Sequence, residues 1–299
     1  MTVLEIIQYL TSRMQVKRAP RLLFAIRRLF KRPNCIYNVY NNTLLKIDPS
    51  VNFHWLNVVN YGGYEAVLLF EKYLKPGDVY LDIGANYGYM SINAARIVGP
   101  KGRVIAVEPE PRAAELLEFN AALNDAALEI VRKAISDTLG EANFNVATEM
   151  GLSRLDNLHQ NTFGMMLQDN IVVERTTLDL LISQIIPDRE VTLVKMDVEG
   201  HEMRILQGAS QLISRKNTMF MLEINPGALS QNGLSFKDIF EFFATRGYEV
   251  NWIHSHAADW FRWGRQPTLE KVKDPSKFMN SSKFLHNYAD ILAIPLDRR

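Results

Sequence analysis

Between residues 79 and 224, short apolar segments alternate with stretches of helical periodicity. Apolar strands separated by helices are typical of a parallel sheet that is covered on both faces. The predicted strands are Val79–Gly84, Arg103–Glu108, Leu128–Ile135, Val191–Asp197, Met219–Ile224, Glu249–His254 and Asp290–Ile294. Helices are predicted near 64–75, 87–98, 111–123, 176–186, 202–214 and 236–246. The chain is therefore expected to be an α/β protein.

The segments before residue 79 and after residue 224 predict different elements. Cys35–Tyr40 and Thr43–Ile47 flank Asn41-Asn42, which predicts a β-hairpin because asparagine tolerates positive φ. The last connection has no obvious helix long enough for a parallel crossover, so the final strand is expected to be antiparallel. The expected organisation is a basic helix and hairpin extension at 1–60 and one domain at 61–299, with a polar insertion at about 137–173 and an aromatic-rich loop at about 255–289.

A glycine-containing turn follows the first strand of the domain, in Asp82-Ile83-Gly84-Ala85-Asn86-Tyr87-Gly88. A strand, a turn of this kind and a helix N-terminus bring free backbone N–H groups close to a ligand. Gly84 and Gly88 permit close approach, and Asn86, where a nucleotide fingerprint usually has a second glycine, can adopt the left-handed conformation. The turn suits NAD, FAD or S-adenosylmethionine.

Two carboxylates beside this turn favour S-adenosylmethionine. Asp82 lies before the first glycine, where it would repel a pyrophosphate but could pair with the ammonium of a methionine moiety. Glu108 ends the second strand, where an acid can accept hydrogen bonds from both ribose hydroxyls. The alternative for Asp82 is a helix-capping or solvated acid.

A second acidic group lies at the predicted ends of the fourth and fifth strands, where open parallel sheets bind ligands. Asp197 and Glu199 follow one strand, and Glu223 ends the next. They could serve as a general base, bind polar groups of a substrate or, through Asp197 and Glu223, hold a metal such as Mg²⁺; salt bridges and helix caps are the structural alternative. Lys195, inside a buried strand, is expected either to pair with one of these acids or, if burial depresses its pKa, to act as a base.

Six motifs occur in order over roughly residues 61–225. They are Asp82–Gly88 (DIGANYG), Val107–Pro109 (VEP), Ala134–Asp137 (AISD), Val194–Glu202 (VKMDVEGHE), Leu206–Ala209 (LQGA) and Leu222–Glu223. Together they resemble the FkbM family of S-adenosylmethionine-dependent methyltransferases. The resemblance implies a Rossmann-like class I methyltransferase fold: a seven-stranded, mostly parallel sheet with helices on both faces and an antiparallel last strand beside the fifth.

The same resemblance implies S-adenosylmethionine as the cofactor and assigns residues to it. Glu108 would hold the ribose, and Ala134–Ser136 would flank the adenine. The expected cofactor residues are Glu65, Asp82, Gly84, Ala85, Asn86, Gly88, Glu108, Pro109, Ala134, Ile135, Ser136 and Asp197. The expected catalytic residues are Asp197, Glu199, Glu223 and Lys195. His201 lies where the family pattern varies, so the resemblance gives it no role.

Family resemblance also implies the reaction, since members methylate hydroxyls of sugars, glycoconjugates and natural products. The expected function is therefore an O-methyltransferase with a sugar or glycoconjugate hydroxyl as its acceptor. Such a hydroxyl is a poor nucleophile at neutral pH, and Asp197 or Glu199 is the candidate base, with Glu223 in support. The alternatives are a non-catalytic S-adenosylmethionine-binding partner in a glycan assembly complex and, less favoured, an NAD-dependent oxidoreductase.

The formal net charge of +1 hides an uneven distribution. Residues 1–32 contain eight bases and one acid and carry +7, which leaves −6 on the other residues. Leu22–Phe30 has the apolar spacing of an amphipathic helix, so this basic segment predicts either peripheral contact with an anionic membrane or a cap packed on the domain. The acidic remainder offers little phosphate-binding surface, and a nucleic-acid partner is not expected.

The remaining composition indicates a compartment. The single cysteine, Cys35, fits a reducing environment. No apolar run reaches the roughly 18 to 20 residues of a membrane-spanning helix. The expected location is the cytoplasm, with peripheral attachment to the inner face of a membrane as a further hypothesis.

Overall fold

The computed structural model describes residues 35–47, 64–147, 153–155, 167–254, 267–276 and 289–298. The predicted basic helix of residues 1–32 and the aromatic side chains of residues 256–263 lie outside the described residues. Among the helices that are described, none is both long enough and apolar enough to cross a membrane.

The strands of the described residues form three sheets. In chain order they are β1 (Cys35–Val39), β2 (Thr43–Ile47), β3 (Val79–Ile83), β4 (Arg103–Val107), β5 (Glu129–Val131), β6 (Ala134–Ser136), β7 (Gly140–Ala147), β8 (Arg154–Leu155), β9 (Leu167–Thr177), β10 (Leu193–Met196), β11 (Met219–Ile224), β12 (Tyr248–His254), β13 (Thr268–Lys271) and β14 (Ala289–Pro295). The first two strands make the predicted hairpin, in which Asn41 and Asn42 have φ of 61° and 54°.

Eight α-helices accompany the strands in the described part of the chain. They are α1 (Tyr64–Tyr73), α2 (Tyr89–Val98), α3 (Pro111–Leu123), α4 (Leu178–Ile185), α5 (Glu202–Gln207), α6 (Ser210–Ser214), α7 (Pro226–Gln231) and α8 (Phe236–Ala244). The single helix predicted over 202–214 is in fact broken at Gly208. A Cβ at this position would lie 2.2 Å from the carbonyl oxygen of Ser136, so the break lets two backbones meet.

The central sheet has the strand order β13-β12-β14-β11-β10-β3-β4-β5. The strands β3, β4, β5, β10 and β11 are parallel, and β14 lies antiparallel between β11 and β12. This confirms the prediction that the last strand is antiparallel and lies beside the fifth predicted strand, which is β11. The predicted count of seven strands is short by one, because β13 pairs antiparallel with the outer edge of β12. Its sequence, Thr-Leu-Glu-Lys, is too short and too polar to stand out from the predicted loop.

The third predicted strand, Leu128–Ile135, is wrong as a single element. It splits into β5, which stays in the central sheet, and β6, which pairs with β9 in a second sheet of order β6-β9-β7-β8. Arg132 and Lys133, between them, form ion pairs with Glu118 and Glu174 respectively. Two successive basic residues that pair with acids on different elements do not fit a continuous buried strand. The chain therefore leaves the central sheet at Arg132 and Lys133.

The two faces of the central sheet bury different helices. On one face, Leu81, Val194 and Leu222 belong to the apolar core that α4, α5, α6, α7 and α8 cover. On the other face, Tyr80, Leu193 and Met221 pack with residues of α1 and α2. Because β3, β4, β10 and β11 are parallel, their carboxyl ends meet at one edge of the sheet, where the predicted site residues lie.

Candidate functional site

The turn between β3 and α2 has the backbone that its sequence predicts. Gly84, Asn86 and Gly88 have φ of 80°, 51° and 93°, all in the left-handed region. A Cβ on Gly84 would lie 2.1 Å from the main-chain carbonyl oxygen of Asp197. Ala85 is buried inside the turn, so the cofactor residues predicted in this segment lie together. The turn leaves its backbone free to approach a ligand closely.

Asp82 is fully buried at the end of β3, which excludes the solvated role considered for it. Its Oδ2 accepts a 2.6 Å hydrogen bond from the Ser91 hydroxyl in α2. Its Oδ1 lies 3.6 Å from Nζ of Lys195 and accepts no hydrogen bond from the described residues. Burial raises the pKa of Asp82, while Lys195 and Ser91 act in the opposite direction. A buried carboxylate oxygen without a donor suits an ammonium ligand.

Glu108 follows β4 and faces the same turn. Its Oε2 accepts the Asn86 N–H at 2.8 Å, and its Oε1 accepts the Glu110 N–H at 2.9 Å. Burial raises the pKa of Glu108 to about 7, although these two hydrogen bonds lower it. Each oxygen has a second lone pair, so the ionised carboxylate can still accept hydrogen bonds from two hydroxyl groups, as ribose recognition requires. The Asn86 side-chain oxygen is also buried and accepts no hydrogen bond from the described residues.

Lys195 lies on β10 between two carboxylates. Its Nζ is 3.3 Å from Oδ2 of Asp197 and 3.6 Å from Oδ1 of Asp82, its register partner on β3. Burial alone would lower the pKa of Lys195, but the charges of Asp197, Asp82 and Glu223 outweigh it and raise the pKa above its ordinary value. The hypothesis that burial depresses the pKa of Lys195 is therefore wrong, because it considered burial alone and left out the three acids nearby. Lys195 stays protonated at neutral pH and forms the expected ion pair.

The second acidic group is brought together as predicted. Asp197, Glu199 and Glu223 each offer a carboxylate oxygen, and these oxygens lie within 4.8 Å of one another. The Asn225 amide donates a 2.9 Å hydrogen bond to Oε2 of Glu199. Burial raises the pKa of Glu223 well above its ordinary value, and Asp197, Asp290 and Glu199 add to this effect. Such an arrangement can accept a proton, bind hydroxyl groups or hold a hard cation.

Two acidic residues of this region were not predicted. Asp290 is the second residue of the last strand, β14, and pairs in register with Glu223 on β11. The predicted antiparallel placement of that strand would have located it, because its first residues must lie beside the end of β11. Glu202, at the start of α5, is fully buried, and its Oε1 accepts the Gly200 N–H at 3.0 Å. Burial raises the pKa of Glu202 to about 7, and its sequence signal is that of an acid in a first helical turn.

The other predicted residues lie less centrally. Ala134, Ile135 and Ser136 are buried in β6, and the Ser136 hydroxyl lies 3.0 Å from Nε2 of His201 in the loop after β10. Pro109 is half-buried directly after Glu108. Glu65 belongs to α1, but its side chain lies outside the described residues.

The family model described as "Methyltransferase FkbM domain" matches residues 82–250, which is more than half of the chain. This chain belongs to the FkbM methyltransferase family. The description of the family model identifies residues 82–250 as a methyltransferase domain. A second family model, described as protein-L-isoaspartate(D-aspartate) O-methyltransferase, matches residues 16–141.

Curated relatives of this FkbM protein have several different names. The hexuronic acid methyltransferase AglP of Haloferax volcanii is 25% identical over 167 residues, which is 56% of this chain and 64% of that protein. A ribosomal protein L11 methyltransferase of Caldicellulosiruptor bescii is 31% identical over 105 residues, 34% of this chain and 32% of that protein. The chain thus spans less than two thirds of the length of these relatives.

Solved structures similar to this FkbM protein include another FkbM protein and a fibrillarin. The FkbM methyltransferase of Methylobacillus flagellatus has a TM-score of 0.40 and 14% identity, covering 74% of this chain and 53% of that one. Aeropyrum pernix fibrillarin, solved with bound S-adenosylmethionine, has a TM-score of 0.40 and 13% identity, covering 77% and 73%. Both scores are low, so the fold assignment rests on the strand order and on the family match.

Proposed function

We propose that this FkbM protein is an O-methyltransferase that methylates a hydroxyl of a sugar, a glycoconjugate or a related natural product. The observation that carries the proposal is the group of Asp197, Glu199 and Glu223, whose carboxylate oxygens lie within 4.8 Å of one another beside the glycine turn. A hydroxyl must lose its proton as it attacks a methyl group. Carboxylates at the ends of adjacent parallel strands are suitably placed to accept that proton.

The residues of the turn fit S-adenosylmethionine. We assign the buried Asp82 Oδ1, which accepts no hydrogen bond from the described residues, to the ammonium group of its methionine part and Glu108 to its ribose hydroxyls. The further proposed cofactor residues are Glu65, Gly84, Ala85, Asn86, Gly88, Pro109, Ala134, Ile135, Ser136 and Asp197. When bound, S-adenosylmethionine supplies an electrophilic methyl group with a good leaving group. The protein then has to align the acceptor and exclude water.

We propose different roles for the three carboxylates Asp197, Glu199 and Glu223. Glu223 is partly buried beside Asp197, Asp290 and Glu199, which raise its pKa together with burial, and we assign it a supporting role. Asp197 is held by the protonated Lys195, 3.3 Å away, and its side chain is 27% exposed and so open to an acceptor. We therefore assign the proton-accepting role to Asp197, with Glu199 as the alternative. Lys195 orients Asp197 and is not itself the base.

The charge of this region favours an acceptor without negative charge. Asp290 lies opposite Glu223, so four acidic residues surround the end of β11, and Lys195 is already paired with Asp82 and Asp197. An acceptor carboxylate or phosphate brought to this edge would meet like charge. The similarity to a hexuronic acid methyltransferase supports a sugar ring as the acceptor, and the acidic edge favours an uncharged ring over a hexuronic acid itself. The carboxylates support methylation at a hydroxyl of that ring.

The test is transfer of labelled methyl groups from S-adenosylmethionine to fractionated cell lipids, glycans and small molecules. We expect a neutral glycan or glycolipid fraction to become labelled by the wild-type chain. Binding of S-adenosylmethionine without labelling of any fraction would instead support the non-catalytic partner in a glycan assembly complex, and binding of NAD would support an oxidoreductase. Loss of activity with a chelator would support a divalent cation, such as Mg²⁺, on Asp197 and Glu223.

A further inference from the structure

The loop that carries the proposed catalytic carboxylates, residues 197–201, is fixed at both ends. At its start, the Asp197 N–H donates a 3.1 Å hydrogen bond to the carbonyl of Ile83, the last residue of β3. Inside it, Glu199 and Gly200 have φ of 51° and 96°, which makes a sharp turn. At its end, His201 reaches Ser136 at the end of β6. The loop therefore joins the central sheet to the segment assigned to the adenine.

The contact between His201 and Ser136 is short and buried. Nε2 of His201 lies 3.0 Å from Oγ of Ser136, and the two residues are 7% and 1% exposed. Oγ of Ser136 is also 3.0 Å from Oδ1 of Asp137. An ionised carboxylate only accepts hydrogen bonds, so Ser136 donates its single hydroxyl hydrogen to Asp137 and accepts one from His201. This arrangement requires a hydrogen on Nε2 of His201.

Two further contacts hold the end of β6 near the His201–Ser136 contact. Nη1 of Arg204 in α5 lies 3.2 Å from Oδ2 of Asp137, and Gly208 packs against the Ser136 carbonyl so closely that a Cβ would approach it to 2.2 Å. The end of β6 is thus held against α5 and against Gly208, the residue that follows this helix. Among these contacts, His201 alone belongs to the loop that also carries Asp197 and Glu199.

We infer that His201 is a positioning residue, which sets the adenine-flanking segment relative to the catalytic loop through its hydrogen bond to Ser136. The inference goes beyond the proposed function and rests on its assignment of Ala134–Ser136 to the cofactor. His201 touches neither reacting group and acts through Ser136. Its loss should therefore weaken the binding of S-adenosylmethionine more than it affects folding.

The experiment compares His201→Leu, His201→Gln, Ser136→Ala and the double variant His201→Leu/Ser136→Ala in the full chain. S-adenosylmethionine affinity is measured by calorimetry, and thermal unfolding is measured without cofactor. We expect His201→Leu and Ser136→Ala each to raise the Kd about tenfold, which corresponds to about 1.4 kcal/mol, because the adenine-flanking segment loses its hydrogen bond to the loop. The double variant should bind no more weakly than the weaker single variant. His201→Gln, whose amide can donate to Ser136, should stay within about threefold of the wild type.

Ser214→Ala is the matched control, because Ser214 donates its hydroxyl to the Ser210 carbonyl on the exposed surface of α6. Its Kd should equal that of the wild type. The inference is overturned if His201→Leu lowers thermal stability without changing the Kd, if the effects of the two single variants multiply, or if His201→Gln is as weak as His201→Leu. Failure of the wild-type chain itself to bind S-adenosylmethionine would instead overturn the cofactor assignment on which the inference rests.

Discussion

The main-chain carbonyl of Asp197 lies against Gly84, so that a Cβ on this glycine would approach its oxygen to 2.1 Å. The glycine turn assigned to the cofactor and the loop that carries the proposed base therefore share a backbone contact. Gly84 and Asp197 directly follow the adjacent strands β3 and β10, and their backbone atoms cannot move aside as the tip of a flexible side chain can. Any side chain at position 84 must separate the two parts of the site.

Gly84→Ala is accordingly expected to weaken S-adenosylmethionine binding by at least about tenfold. The new methyl group would push the turn away from Asp197, and its φ of 80° adds strain for a residue with a Cβ. Calorimetry with S-adenosylmethionine measures the effect. Gly77→Ala is the matched control, because Gly77 also has a positive φ, of 97°, but a Cβ there meets nothing within 4 Å. Equal losses of affinity in both variants would show that strain alone is responsible.

Lys195→Met is expected to destabilise the protein by about 3 kcal/mol, because the buried carboxylate of Asp82 loses its cation. Urea unfolding of the chain without cofactor measures the change. The double variant Lys195→Met/Asp82→Asn should recover part of the loss, since it removes the uncompensated charge. Lys133→Met breaks an ion pair with the exposed Glu174 and should cost less than about 1 kcal/mol. Equal costs at the two positions would contradict a buried ion pair at Lys195.

Local sequence signals were enough to predict the glycine turn, the parallel strands and the residues at their ends. Gly84 and Asn86 are adjacent to their strand and helix, so short spacing determines their geometry. The split of the third strand depends on where Arg132 and Lys133 find acids, and those acids lie on α3 and β9. The raised pKa of Lys195 likewise depends on acids from three strands. Contacts of this kind are set by the tertiary fold and leave no local signal.

S-adenosylmethionine binding is expected to weaken below about pH 7, where Glu108 takes up a proton. A neutral carboxyl accepts hydrogen bonds from ribose hydroxyls less well, so the affinity should fall by up to about tenfold for each pH unit. The free energy of unfolding of the cofactor-free protein should instead decrease as the pH rises over this range. The folded pKa of about 7 exceeds the ordinary 4.5, so the stability contributed by this group is present below pH 4.5 and is lost as the pH rises to 7.

Glu108→Gln should abolish the pH dependence of binding between pH 6 and 8 while weakening binding throughout this range. Glu202→Gln is the matched control, because burial also raises the pKa of Glu202 to about 7 but its described contact is to the Gly200 backbone. This control should keep the pH dependence. A pH dependence that disappears in Glu202→Gln and persists in Glu108→Gln would refute the assignment of the ribose to Glu108.

Removal of residues 1–32 is expected to abolish recovery with vesicles that contain phosphatidylserine and to leave S-adenosylmethionine affinity unchanged. The segment carries a formal charge of +7, and basic amphipathic segments bind anionic lipid surfaces. Co-sedimentation with phosphatidylserine vesicles and with neutral phosphatidylcholine vesicles measures the effect. Equal recovery of the full and shortened chains on the anionic vesicles would rule out this segment as the membrane contact.

Asp197→Asn is expected to reduce methyl transfer by about 10² to 10⁴-fold, because its amide cannot accept the acceptor's proton. The substitution keeps the size of the side chain and leaves in place the main-chain carbonyl of Asp197 that lies against the cofactor turn at Gly84, so the Kd for S-adenosylmethionine should change by less than about threefold. Labelled methyl transfer to the fraction that the wild-type chain labels measures the loss. Asp188→Asn, in an exposed turn before β10 at the opposite edge of the sheet, should retain full activity. Full activity of Asp197→Asn would transfer the proposed role to Glu199, whose Glu199→Gln variant should then be inactive.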